Sequence, residues 1–322
     1  MGKPKHRLGC QREELIYDVG AFVVPKCHNQ EEAIKSTIME KIMKITVLIE
    51  NVKDESKDLL NESGLSLYIE KDTKRILFDT GKTGNFISNA KKKGIRLEDV
   101  DAVVLSHGHH DHVGGLLPFF QVNNKAKVYM KRKALGDYYF HYMFFRKRIS
   151  IDNNVFEEYS NRIIYIDSFT EIMNDIYIIT DIDEYYSTPK GNKYLFVKQD
   201  NKLMKDNFEH ELMMIIKGDQ GISLFTGCSH KGAPNMIRAA RAAFPSNNIK
   251  AVIGGFHLIT IPIMSSLSAS QKEIEVIAKM IIDEKIEKVY TGHCTGMKAY
   301  RNLKNILGNK IEYIRTGSDI YI

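Results

Sequence analysis

The sequence predicts a layered α/β protein, with sheets covered by helices. Two features carry that expectation: short apolar runs of strand length alternate with amphipathic helical segments, and glycine-containing turns close many of the segments. Residues 44–49, 65–69 and 75–78 read as strands, residues 85–93 as a helix stopped by Gly94, and residues 101–105 as a short buried strand. The second half repeats the alternation. Residues 212–216 and 222–225 read as strands around the turn 218–221, followed by a helix at 234–244 and a strand at 250–253. A helix over 270–285, capped by Ser268 or Ser270, precedes a strand at 288–290; a helix at 297–307 ended by Gly308 and a strand near 311–314 complete the series. Between the halves, about 128–207, weak strands and the aromatic cluster Tyr138, Tyr139, Phe140, Tyr142, Phe144 and Phe145 read as an insertion, a candidate lid. No fixed-period repeat is present.

Composition narrows the function. The chain has 322 residues, 46 Lys plus Arg against 40 Asp plus Glu, a net charge of +6, and is 43% hydrophobic and 27% charged, as a globular protein is. Its basic runs, Lys91–Lys93 and Lys131–Lys133, are short, and acidic residues interleave elsewhere, so no nucleic-acid surface is expected. No run of 18 apolar residues and no apolar leader segment occur, so the expectation is a cytoplasmic protein without membrane contact. Position 6 is His6, which breaks the myristoylation pattern after Gly2. Cys10, Cys27, Cys228 and Cys294 are too few for a disulfide framework and read as reduced thiols. Residues 1–42 lack the regular pattern and are read as an extension ahead of a domain at 43–322, with a helix near 31–41. A zinc site from Cys10, Cys27 and His28 is disfavoured by its spacing, which contains no CxxC pair. Nothing in the sequence fixes an oligomeric state.

The informative segment is Leu105-Ser-His-Gly-His-His-Asp-His-Val-Gly-Gly115, four of the eleven histidines within six residues. It follows a buried strand, and α/β sheets place ligands at strand carboxyl ends. His107 and His109, two apart in extended backbone, point the same way, and Gly108 lets the chain approach a metal closely. Asp111 and His112 add an oxygen and another nitrogen, so two cations can share the loop. Imidazole and carboxylate donors suit Zn²⁺, with Mn²⁺ or Fe²⁺ as other occupants. Three later histidines sit in turns after apolar strands: Thr226-Gly-Cys-Ser-His230, Gly254-Gly-Phe-His257 and Thr291-Gly-His293-Cys-Thr-Gly296. His6, His28, His141 and His210 lack that setting and read as ordinary side chains.

The string His107-Gly-His-His-Asp-His112 resembles the HxHxDH signature of the metallo-β-lactamase fold superfamily, and Phe78-Asp-Thr-Gly81 resembles its first motif. The strings TGCSH, GGFHL and TGHCTG resemble a narrower subfamily, named for dihydropterin-6-yl-methyl-4-(β-D-ribofuranosyl)aminobenzene 5′-phosphate synthase. The resemblance runs from about Met43 to Ile322. It implies an αββα sandwich, here with an insertion, holding two divalent metal ions. By position, His107, His109 and His230 would hold one, and Asp111, His112 and His293 the other. Asp79 would lie behind the ligands and orient an imidazole. One departure stands out: many superfamily hydrolases carry Gly-Asp where this chain has Gly227-Cys228, so a bridging carboxylate is missing. Cys228 is read as lying near the site, either packed or offering a thiolate to a soft metal.

The expected chemistry is hydrolysis by metal-activated water. Asp111 would ligate and steer the nucleophile, and His257 would contact substrate, protonate a leaving group or add a ligand. Lys131, Arg132 and Lys133 are candidates for binding a small anionic, phosphorylated substrate. Two alternatives stand beside the hydrolase. One is a synthase or transferase joining a pterin to a ribofuranosylaminobenzene phosphate; the other is a metal-binding sensor or interaction protein, catalytically weak without the bridging aspartate.

Overall fold

The computed structural model describes residues 42–56, 58–259 and 269–322. The expected helix at 31–41, the Cys10–Cys27–His28 grouping and the alternative cap Ser268 lie outside the described residues. The chain runs β1 (Lys44–Ile49), β2 (Ser66–Lys71), β3 (Lys74–Phe78), α1 (Asn85–Lys92), β4 (Ala102–Val104), α2 (His110–Val113), α3 (Leu116–Val122) and β5 (Lys127–Met130). There follow β6 (Asp137–Tyr142), β7 (Phe145–Arg148), α4 (Asn154–Glu158), β8 (Ile163–Tyr165), β9 (Thr170–Met173), β10 (Ile176–Ile179), β11 (Leu195–Gln199) and β12 (Lys202–Lys205). The last part is β13 (Met213–Gly218), β14 (Gly221–Phe225), α5 (Ala233–Ala243), β15 (Ile249–Gly254), α6 (Gln271–Asp283), β16 (Lys288–Thr291), α7 (Gly296–Leu307), β17 (Ile311–Tyr313) and β18 (Asp319–Tyr321).

Two seven-stranded sheets form the frame, ordered β18-β1-β2-β3-β4-β5-β8 and β17-β16-β15-β14-β13-β10-β9. Each is antiparallel on one side and parallel on the other: β3, β4, β5 and β8 run parallel in the first, β14, β15, β16 and β17 in the second. The period-two pattern sorts their side chains. In β3, Ile76 and Phe78 enter the core between the sheets, while Leu77 joins the core under α1 and α3. Phe78 meets Phe225 of the opposite sheet, ring centroids 6.1 Å apart; each is fully buried, worth about 1.5–3 kcal/mol of apolar transfer. In β1 a register shift between Val47 and Ile49 puts both Leu48 and Ile49 in the helix-side core, against the strict alternation. The outer face of the second sheet is covered by α5, α6 and α7. The result is a helix–sheet–sheet–helix sandwich.

Most expected elements appear within two residues of their predicted ends. Ser270 caps α6 in a reciprocal pair with Glu273, as Ser-x-x-Glu favours. The stretch read as one insertion at 128–207 divides instead. Strands β5 and β8 extend the first sheet and β9 and β10 the second, while β6, β7, β11 and β12 form a separate four-stranded sheet ordered β12-β11-β6-β7. The frame strands there are only three or four residues long, and that brevity hid them. Strand β18, also unexpected, pairs with β1 and returns the carboxyl end of the chain to the sheet.

Candidate metal centre

The histidine-bearing loops all leave carboxyl ends of parallel strands: the 105–115 loop after β4, the 226–230 turn after β14, the 254–257 turn after β15 and the 291–296 turn after β16. Each turn is tight. Asp79, Ser229, His257 and His293 adopt left-handed backbone conformations, φ 58°, 56°, 47° and 50°, which cost non-glycine residues energy and are found where the surroundings hold them. Buried carboxylates do part of the holding. Glu211 accepts the N–H groups of His230 and Lys231, each at 2.7 Å, and Glu50 accepts those of Val52 and His293. Burial pushes both carboxyls up to about 7.

Four imidazoles are anchored through Nδ1, and in each case the partner fixes which nitrogen carries the proton. The Ser106 hydroxyl donates to Asp79 Oδ2 at 2.7 Å, so its oxygen is left to accept from His107 Nδ1, 2.8 Å away. Asp79 Oδ2 lies 2.6 Å from His112 Nδ1. Asn192 donates its amide to the His230 carbonyl at 2.8 Å, which turns Oδ1 toward His230 Nδ1 at 3.0 Å. Asn51 Oδ1 accepts Gly64 N–H at 3.2 Å and therefore also accepts from His293 Nδ1 at 2.8 Å. All four rings thus carry Nδ1–H and, when neutral, present the Nε2 lone pair to the interior.

Those lone pairs converge. The Nε2 atoms of His107 and His230 are buried with no hydrogen-bond partner. His112 Nε2 and His293 Nε2 face each other at 3.1 Å, with Cys228 Sγ 3.2 Å from His112 Nε2. Two lone pairs at that separation repel unless a cation or proton lies between them. Ligand atoms of His107, Cys228 and His230 lie within 4.8 Å of one another, as do those of His112, Cys228 and His293. Burial holds His107 and His230 well below the ordinary histidine range and takes His293 down to about 3, so these rings stay neutral at pH 7 and keep their lone pairs. For His112 burial pulls the same way, but the Asp79 and Asp111 carboxylates outweigh it and raise its pKa. The donor set fits a pair of divalent cations.

Asp111 stands at the edge of the cluster, partly exposed, its Oδ2 3.5 Å from His293 Nε2. Burial opposes its ionisation, but His112, His293 and His109 together lower its pKa. Asp79 lies on the Nδ1 side of His112, fully buried, and also accepts Ser106 N–H at 2.8 Å. Cys228, read as lying near the site, has its Sγ among these donor atoms, at the junction of both trios. The strand-end turn that would carry a bridging aspartate delivers this side chain inward.

His109 joins the cluster by its ring, 4.6 Å from His107 and 4.9 Å from His230 between centroids. Its Nε2 has no hydrogen-bond partner and lies 3.9 Å from Asp206 Oδ2, which is 3.0 Å from His210 Nε2. His210 Nδ1 in turn accepts Gly108 N–H at 3.0 Å. Burial opposes ionisation of Asp206, yet the neighbouring His210 and His109 depress its pKa strongly. His210 is therefore not the ordinary side chain the sequence implied, and Asp206 was missed altogether. The Asp206-x-x-x-His210 spacing beside Glu211 is the signal that marks them.

His257 is partly buried, with an unpartnered Nδ1, and its ring packs 4.2 Å from that of His230. The expected anion-binding cations are engaged elsewhere. Lys131 Nζ donates to the Thr180 carbonyl at 3.0 Å, Arg132 stacks 3.9 Å over the Tyr165 ring, and Lys133 pairs with Glu209. The loop after β5 turns these side chains toward the β8–β10 segment and the third sheet.

A helix–sheet–sheet–helix sandwich with clustered histidines at its strand ends defines a class of metal-binding enzymes. Residues 61–216 match the Metallo-beta-lactamase superfamily. Over 87% of this chain, the structure of Tm1679, described as a metal-dependent hydrolase of the beta-lactamase superfamily, superposes with a TM-score of 0.74, 32% identity and 99% of that chain covered. This chain belongs to the metallo-β-lactamase superfamily. A Methanocaldococcus jannaschii protein named 7,8-dihydropterin-6-methyl-4-(beta-D-ribofuranosyl)-aminobenzene-5'-phosphate synthase is 27% identical over 293 residues, 86% of this chain and 96% of that one. The Zn²⁺-bound PqqB of Methylobacterium extorquens, 11% identical with a TM-score of 0.55 over 86% of this chain and 99% of that one, shares the fold. Among the described residues no helix is long and apolar enough to cross a membrane.

Proposed function

We propose that this protein is a metal-dependent hydrolase of a small anionic, phosphate-bearing substrate, with two divalent cations, Zn²⁺ foremost, in the histidine cluster. One observation carries the reading: four buried imidazoles anchored through Nδ1 turn their Nε2 atoms inward to one place, and those of His107 and His230 have no protein partner. His107, His109 and His230 would hold one cation, and Asp111, His112 and His293 the other, with Cys228 between them. Bound there, the cations supply an activated water and polarise the oxygen under attack.

The chain's own groups do the rest. Asp111, ionised and open on one side, accepts a proton from the attacking water at its free oxygen and aims it. His257 is lowered by burial to about 3, so near pH 7 it is neutral. It therefore serves as a hydrogen-bonding contact to substrate better than as an imidazolium donor to a leaving group. The Nδ1 anchors keep the rings from turning as substrate enters.

The experiment is turnover of bis(p-nitrophenyl) phosphate and a panel of phosphomonoesters by the metal-loaded chain, beside Asp111→Asn. Activity lost in the variant with metal content retained supports the hydrolase. The name of the M. jannaschii relative favours a second reading, a synthase or transferase acting on a ribofuranosylaminobenzene phosphate. A chain that leaves every ester intact, yet joins a pterin to that phosphate, would establish the second reading instead.

A further inference from the structure

Beside the histidine cluster, the turns after β14, β15 and β16 bring a different set of donors together. Ligand atoms of Cys228, His257 and Cys294 lie within 4.8 Å of one another. Both cysteines are free and 4% exposed, and a buried ring nitrogen of His257, Nδ1, has no partner. The backbone holds the three in place. His257 N–H donates to Cys294 Sγ at 3.2 Å, and the Cys294 carbonyl accepts Leu258 N–H at 2.8 Å and Ile259 N–H at 3.2 Å. Glycine makes room on two sides: a Cβ at Gly255 would lie 2.5 Å from Cys294 Sγ, and one at Gly191 would lie 2.9 Å from His257 Nε2.

We propose that Cys228, His257 and Cys294 form a second binding site, for a soft, thiophilic cation such as Cu⁺ or Cd²⁺, that shares Cys228 with the histidine centre. Two sulfurs and one imidazole are the donors that select soft metals, whereas the His/Asp set alongside suits harder ions. The donors need only close by small side-chain rotations, since ligands on a tetrahedral ion sit roughly 3.3–3.8 Å apart when bonds are about 2.0–2.3 Å. Three protein donors leave a fourth position on the ion for a small external ligand. Cys228 belongs to both sites. A thiophilic cation that captures it with His257 therefore inhibits hydrolysis, a consequence that rests on the proposed function, whereas the binding itself does not.

The test is a Cd²⁺ titration of the full-length, reduced, zinc-loaded chain, followed by its thiolate-to-metal charge-transfer absorption. A Cys10→Ser, Cys27→Ser background confines the signal to Cys228 and Cys294. The expected result is a band of two thiolates that falls to about half in Cys294→Ser, where one sulfur donor is left. In His107→Ala the band persists while zinc is lost; a band that persists without loss of zinc would refute the histidine centre and leave this site standing. No band in the background chain, or an undiminished band in Cys294→Ser, would overturn the proposal. Cadmium-113 NMR of the background chain counts sulfur donors directly, so the answer stands even if Cys294→Ser does not fold.

Discussion

The two halves of the histidine cluster are built on different electrostatic plans. The His107–His230 half is neutral: its rings lean on a serine hydroxyl and an asparagine carbonyl, and burial, reinforced by the neighbouring imidazoles, keeps them unprotonated. The His112–His293 half carries charge, with Asp79 against His112, Asp111 at the rim and the Cys228 thiol 3.2 Å from His112. The contrast teaches that a neutral pocket depends on the cation for its energy of assembly, whereas the charged pocket is partly satisfied without one. The first half should therefore be the one whose loss is felt most.

Removing a donor from the neutral half gives the largest effect. His107→Ala should lose about one equivalent of metal and lower kcat/KM by more than about 100-fold, because even partners behind the ligands are worth 10–100-fold; elemental analysis and initial rates check it. Asp79→Asn probes the charged half from behind. It removes the carboxylate that sets the His112 tautomer and braces Ser106, and should weaken the second equivalent by about 10–100-fold, read by competition with a chelating dye. Equal effects on both equivalents would erase the distinction drawn here.

How much of this was legible in the sequence follows from how the parts are spaced. The 107–112 loop could be read because its donors are consecutive and follow a single buried strand. His230, His257 and His293 were legible through a shared context, a glycine turn after an apolar run. The anchors were not: Asn51 and His293 are 242 residues apart, and a lone asparagine in a loop has no periodicity to betray its partner. Glu50 and Asn192 were hidden for the same reason. The third sheet was obscured because β7 is exposed along its whole length and β12 nearly so, giving no apolar alternation. The fold was legible where strands bury a face, as in β3, where Ile76 and Phe78 alternate with Leu77.

A smaller effect sharpens the comparison at Cys228. Cys228→Asp exchanges a soft junction for a hard one, and should shift preference from Cd²⁺ toward Mn²⁺ by about tenfold, measured as the ratio of the two dissociation constants. A change confined to one equivalent would show that Cys228 serves only that half.

The smallest expected effect lies away from both halves. Asp319 accepts the Thr46 hydroxyl at 2.7 Å and pairs with Lys93 Nζ at 2.9 Å, fastening β18 to β1. Burial opposes its ionisation, but these partners lower its pKa below the ordinary 3.8. A depressed carboxyl adds stability above its unfolded pKa and loses it as pH falls through the folded value. Asp319→Asn should thus cost at most about 1 kcal/mol after solvent screening at pH 7, a difference that shrinks below pH 3.8, with metal content untouched; urea unfolding at the two pH values checks it.

The central claim is that inward lone pairs of buried imidazoles hold two cations. Its most direct measurement is metal content per chain in freshly purified protein, determined by elemental analysis for the unmutated chain and His107→Ala side by side. The account predicts about two equivalents in the first and about one fewer in the second. A chain that carries one equivalent or none, or a His107→Ala variant that keeps the full complement, would contradict it.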